Sequence, residues 1–263
     1  MSTGPTATTT VSRPHAGPAS PARRVLSQAG FEARAILRNG EQLMVTLVLP
    51  ALVLVGLTRS SLVGLGTDGA ARIDFVAPGV IALAVMSTSF TSQAIATAFD
   101  RRNGVLRFLA TTPLGRRGLL AGKVLAVLAV EVVQIVVLGA LAVTLGWRPD
   151  LAGVPLALAA VALGTAAFTS LALLVAGTLR SEAVLAVANL LLVLLAVGGG
   201  VVVPASQLPG PLEHVALALP SGALGEALRA SLLHGGMPGW TALVLLGWTV
   251  VLGWSAARLF RWH

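Results

Sequence analysis

The chain of 263 residues has no cysteine, one lysine against seventeen arginines, and few charges of either sign, with Asp, Glu, Lys and Arg together making up only 11%. Without thiols it can form neither a disulfide nor a thiolate metal site. Signatures of hydrolysis are missing too. Glu213 and His214 are adjacent, but no second histidine follows at the spacing of a zinc-binding H-E-x-x-H helix, and Ser255 lies in G-W-S-A, which completes no G-x-S-x-G turn. A nucleophile and a base within reach of each other are therefore not apparent. Nor is there a phosphate cradle of the form G-x-x-x-x-G-K-[ST]. Gly118 to Lys123 is one residue too short and is followed by Val124, which cannot hold magnesium.

What is abundant is apolar surface. Hydrophobic residues make up 56% of the chain and its mean hydropathy is +0.87, well above a soluble domain of this length. Apolar runs fall at about 42–58, 76–98, 121–146, 152–178, 183–203 and 239–257, and spans of roughly 20 residues cross a bilayer. The expected fold class is an all-α integral membrane protein with six transmembrane helices, forming one membrane domain over residues 41–263. Arginine in place of lysine, with much alanine, glycine and valine, is the composition of a GC-rich bacterial genome. Residues 1–20 hold Pro5, Pro14, Pro18 and a threonine run from Thr8 to Thr10, and read as a disordered tail. They do not read as a signal peptide, because the first apolar core begins only near Leu43.

The net charge of +8 is better explained by membrane topology than by nucleic acid, since the basic residues alternate with the apolar runs. With the N-terminus inside, Arg13, Arg23, Arg24, Arg34, Arg38, Arg101, Arg102, Arg107, Arg116, Arg117, Lys123, Arg180, Arg258 and Arg261 face the cytoplasm. Only Arg59, Arg72, Arg148 and Arg229 face out, a split of fourteen to four that puts both termini inside. Trp147 and Trp240 then fall at the outer interface, and Trp254 and Trp262 near the inner one. Ahead of the first span, Leu26, Ala29, Ala33 and Ile36 or Leu37 recur at helical spacing. This predicts an interfacial amphipathic helix over 21–40, ended by a break at Asn39 and Gly40.

Residues 99–123 form a basic loop with an apolar patch of Val105, Leu106, Phe108 and Leu109 between charges. Gly104 permits a chain reversal and Pro113 stops a short helix or opens the next turn. A short amphipathic helix between them offers a small apolar face to a cytosolic partner, or the loop is simply positive-inside. The order of residues resembles that of ABC-2 type permeases: a charged cluster, G-x-L-x-x-L-x-x-T-P-L, a basic residue and G-K. It is met by Asp100, Arg101, Gly104, Leu106, Leu109, Thr112, Pro113, Leu114, Arg116, Gly122 and Lys123, while Asn103 stands where a charge is more usual. A second stretch, 208–236, resembles the same family's external segment, a Pro-bounded pair of short helices dipping into the outer leaflet, at Pro209, Pro220, Glu226, Arg229 and Gly235. Ala223, Leu224, Ala227, Leu228, Ser231 and Leu232 make one face of its helix, with Glu226 and Arg229 three apart on the other as a surface pair.

The resemblance implies a permease half of a bacterial inner-membrane ABC exporter, and the few polar groups along the spans favour a hydrophobic or amphipathic cargo. It implies two copies of a separate ATPase subunit, a second permease copy or paralogue, and a coupling element at Asp100, Arg101, Arg102, Gly104, Leu106, Arg107, Leu109, Thr112 and Pro113. No cofactor or metal is implied. Within the spans, Glu131 and Gln134 share a face of the third helix and are candidates for the transport pathway, although an interhelical hydrogen bond explains Glu131 equally well. Gln93 and Asn189 are weaker candidates. A proton-coupled carrier working through Glu131 is the alternative.

Overall fold

The structure, a computed structural model, describes residues 19–40, 44–59, 71–201 and 205–260, and among these every regular element is helical. In chain order they are α1 (Pro21–Arg38), a π-helical turn Met44–Val48 leading into α2 (Leu49–Arg59), α3 (Arg72–Arg102), α4 (Val105–Ala110), α5 (Gly115–Thr144), α6 (Val154–Thr178), α7 (Ser181–Gly198), α8 (Pro211–Ala218), α9 (Pro220–His234) and α10 (Gly239–Leu259).

Five of these are long and apolar enough to cross a membrane: α3, α5, α6 with its leading turn, α7 and α10. The first expected span, at 42–58, is represented by a shorter apolar stretch, Thr46–Arg59, which does not reach that length. Residues 41–43 and 60–70, which flank it, lie outside the described residues, as do residues 1–18 of the expected tail. α3 is longer than its apolar run because charged ends, from Arg72 to Arg102, continue the helix past the hydrocarbon-like part. It is also the central helix, with Val80, Ala82, Val85, Met86 and Phe90 buried, whereas α7 and α10 expose Leu190, Val193, Leu246 and Val250. Such faces cost nothing in lipid, whose tails are as apolar as leucine.

α1 begins where the Ser20 side chain accepts a hydrogen bond from Arg23 N at 3.4 Å, with Pro21 at its first turn, and it ends before Asn39, whose backbone is extended. Its face of Ala29, Ala33 and Ile36 is buried as the spacing predicts, but protein rather than lipid covers it. Gly118 and Gly122 of α5 receive it. A methyl on Gly122 would stand 3.1 Å from Gln28 Cγ, so small residues one turn apart on both helices allow the close crossing. Leu26, expected on the same face, is 63% exposed because it lies to one side of this seam. Trp147 also departs from expectation: it is buried and lines an apolar cavity beside Gly139, while Trp240 and Trp254 are exposed and the Trp254 ring lies 5.2 Å from the Arg258 guanidinium. Trp262 lies outside the described residues.

Candidate functional site

The turn after α3 is made by Gly104, whose φ of +75° is left-handed and carries no side-chain penalty. α4 starts there, with Phe108 N donating to Gly104 O at 3.1 Å. Its end is closed by two threonines, as Thr111 Oγ1 donates to Phe108 O and Thr112 Oγ1 to Leu109 O, each at 2.7 Å. Pro113 follows, and its carbonyl accepts from Arg24 Nη1 at 2.8 Å, which ties α1 to the turn between α4 and α5. The spacing of Leu106 and Leu109 predicts one exposed apolar face. The structure corrects this: Leu106 is fully buried against the chain itself and Leu109 is half-buried, while Val105, Arg107 and Phe108 are exposed, Phe108 by 71%. The reason is that α4 packs on α3 and α5, which takes one side of so short a helix inward.

The charged residues of the loop divide into two groups. Asp100 turns toward α5, where Lys123, only 2% exposed, holds Asp100 Oδ2 at 3.4 Å and Glu32 Oε2 of α1 at 3.2 Å. Gln28 Nε2 completes Glu32 by donating to its Oε1 at 2.8 Å. One ammonium thus joins α1, α3 and α5 beneath α4. Arg101 and Arg102 turn the other way: Arg101 Nη2 donates to the Leu179 carbonyl, and Arg102 Nη1 pairs with Glu182 of α7 at 3.3 Å. Glu32 and Gln28 were not singled out by sequence. Their available signal was weak: a single acid in an otherwise basic amphipathic helix and a single lysine in the whole chain.

A second polar set lies inside the bundle. α3 carries a π-helical segment over Ser87–Ser92, STSFTS, a geometry that leaves the regular ladder and concentrates hydroxyls in the middle of the helix. Gln134 Nε2 of α5 donates to Thr88 Oγ1 at 2.8 Å and to Thr46 O of the turn before α2 at 2.9 Å, so it joins both π-helical segments. Glu131 is fully buried and faces α6, where Thr165 Oγ1 donates to its Oε2. It lies sixteen residues beyond Gly115, about 24 Å along the axis, nearer mid-helix than the apolar run alone suggests. The two residues therefore bond to different helices, and both make interhelical contacts, although Glu131 Oε1 has no hydrogen-bond partner among the described residues. Gln93 is also buried, whereas Asn189 is exposed on α7 and donates to its own helix at Leu185 O, 2.9 Å.

At the other end of α3, α8 and α9 form the Pro-bounded pair. Pro209 lies in the turn before α8, Pro220 starts α9, and Gly235 ends it with φ +67°. The face from Ala223 to Leu232 is buried as the spacing predicts. Arg229 is not the surface residue expected: it is 3% exposed, and its Nη2 donates to Gly200 O at 3.0 Å and to Val201 O, both just past α7. Glu226 Oε2 stands 3.7 Å from Arg229 Nη1. Gly79 of α3 leaves room for this contact, since a methyl there would stand 2.6 Å from Val201 O.

A bundle with five bilayer-length apolar helices among the described residues, a short helix between two of them and a buried paired helix before the last is a multi-pass membrane protein. A model of the family ABC-2 type transporter matches residues 25–233, and the chain belongs to that family. It is a permease of ABC transporters, a membrane transport subunit of a generally non-catalytic kind. No curated protein matches the chain.

Proposed function

We propose that this chain is the six-span permease subunit of an ATP-binding cassette exporter in a bacterial inner membrane, with both termini cytoplasmic. It works with two copies of a separate ATPase and a second permease copy or paralogue, and moves a hydrophobic or amphipathic cargo outward. The observation that carries this reading is α4: a short helix joining two bilayer-length helices, with Arg107 and Phe108 exposed on one side and Leu106 anchored on the other. Closure of an ATPase pair gripping α4 would be transmitted by α3 and α5, rigid helices attached to it directly.

Phe108 is the residue whose burial would hold the ATPase, contributing about 1.5 to 3 kcal/mol before ordering costs. Its exposure means that Phe108→Asp leaves the chain's own packing intact. Leu106→Asp would not report on docking, because it would disrupt the fold first. Phe108→Asp is expected to abolish co-purification of the ATPase and nucleotide-driven transport in reconstituted vesicles. Retention of both would remove α4 from the coupling role. The orientation is tested by Arg116→Cys in a chain that otherwise has no thiol: an impermeant reagent should leave it unlabelled in intact cells. Transport driven by a pH gradient without nucleotide would instead favour a proton-coupled carrier working through Glu131.

A further inference from the structure

The junction beneath α4 also holds an open cleft of about 420 Å³ that the permease reading does not use. α1 lines it with Phe31 and Glu32, α3 with Gln93 and Asp100, α4 with Phe108 and α5 with Lys123. Its charges do not cancel, for one ammonium faces two carboxylates. Glu32 has both oxygens engaged, by Gln28 and Lys123. Asp100 gives only Oδ2 to Lys123, its side chain is 36% exposed, and its other oxygen has no partner among the described residues. The neighbouring arginines do not restore the balance. Arg101 and Arg102 are turned to Leu179 and Glu182, and Arg34 Nε folds back onto Gly30 O at 2.9 Å. Arg107 is exposed on α4 and is not among the cleft's lining residues.

Two further observations set the chemistry of an occupant. Gln93 is 2% exposed, and its Oε1 has no hydrogen-bond partner among the described residues. A buried acceptor left unpaired costs desolvation that a donor would recover. Phe31 and Phe108 are 67% and 71% exposed at the rim, and aromatic faces attract cations while covering apolar surface. A spare carboxylate oxygen, an unpaired buried amide oxygen and the exposed Phe31 ring, joined by Phe108 where no ATPase covers it, all favour the same ligand class.

We propose that this cleft binds an organic cation with an aromatic body and an N–H donor. This deepens the permease reading by naming the class of cargo taken up beside the coupling helix. The test is equilibrium binding of ethidium, followed by fluorescence, to the full chain in nanodiscs of zwitterionic lipid, with empty discs subtracted and neither ATPase nor nucleotide present. Saturable binding is expected, with the uncharged parent ring 6-phenylphenanthridine at least about tenfold weaker. Asp100→Asn should weaken ethidium about tenfold, and Gln93→Met, which keeps the volume and lies outside the ion pairs, about threefold or more. Should Asp100→Asn prevent assembly, Gln93→Met decides alone. Absence of saturable binding, or binding that an assembled variant of either residue leaves unchanged, overturns the proposal. Phe108 is left untouched because it is shared with the docking face. Failure here therefore leaves the ATPase test standing, and failure of that test leaves this one standing.

Discussion

Each end of α3 meets a buried cation, and the two are held in opposite ways. Near Asp100, Lys123 sits between two carboxylates drawn from two other helices. Near Gly79, twenty-one residues and about 32 Å earlier on the same helix, Arg229 is held chiefly by the backbone carbonyls of Gly200 and Val201, with Glu226 at 3.7 Å. The contrast follows from the two side chains. An ammonium is a compact point charge that joins acids arriving from different directions, whereas here the longer arginine side chain carries one nitrogen, Nη2, to two successive carbonyls past the end of α7. The first arrangement links helices by charge, and its stability depends on the acids being there. The second links them by hydrogen bonds to groups that no side-chain substitution removes.

Lys123→Met should have the largest effect, because it leaves Glu32 and Asp100 facing each other without their cation. A loss of about 3 kcal/mol is expected in the detergent-solubilised chain, read as a lowered midpoint of thermal unfolding. Adding Glu32→Gln and Asp100→Asn to the same chain should recover most of it. If the triple variant is no more stable than the single one, Lys123 acts through packing and the contrast fails on that side. Arg229→Lys should come next, with a loss of about 1 to 2 kcal/mol, since the shorter lysine side chain would have to bring its ammonium to both carbonyls that Arg229 Nη2 now meets. An equally stable lysine variant would show that charge alone suffices there. The smallest change belongs to Glu226→Gln, below about 1 kcal/mol, because the pair is long and Glu226 is 34% exposed. Its effect should shrink further in high salt. A larger loss would make the α9 end an ion pair after all, like the α1 end.

How much of this was legible in the sequence depends on whether a feature is local. Gly104, Pro220 and Gly235 mark turns through backbone restrictions that act on the residue itself, and all three stand at helix ends. The buried face from Ala223 to Leu232 has a clear helical period over ten residues of a fifteen-residue helix. α4 has no such guide. In six residues, Val105, Leu106, Phe108 and Leu109 surround most of the helix, so periodicity cannot say that Leu106 turns inward and Phe108 outward. Glu226 and Arg229 are correctly placed three apart, yet a long arginine side chain reaches well beyond its own helix face, and here it reaches the end of α7.

Composition and hydropathy determined by themselves that the chain would be helical and lie in lipid, because a backbone without water must satisfy its own hydrogen bonds. The punctuation of glycine and proline determined where several of those helices begin and end. Only the tertiary structure decided which polar groups meet. Lys123 and Glu32 are ninety-one residues apart, and Gln134 and Thr46 eighty-eight, and no local preference brings such pairs together. Helix packing places them in contact, and the cost of leaving a buried polar group unpaired then holds them there.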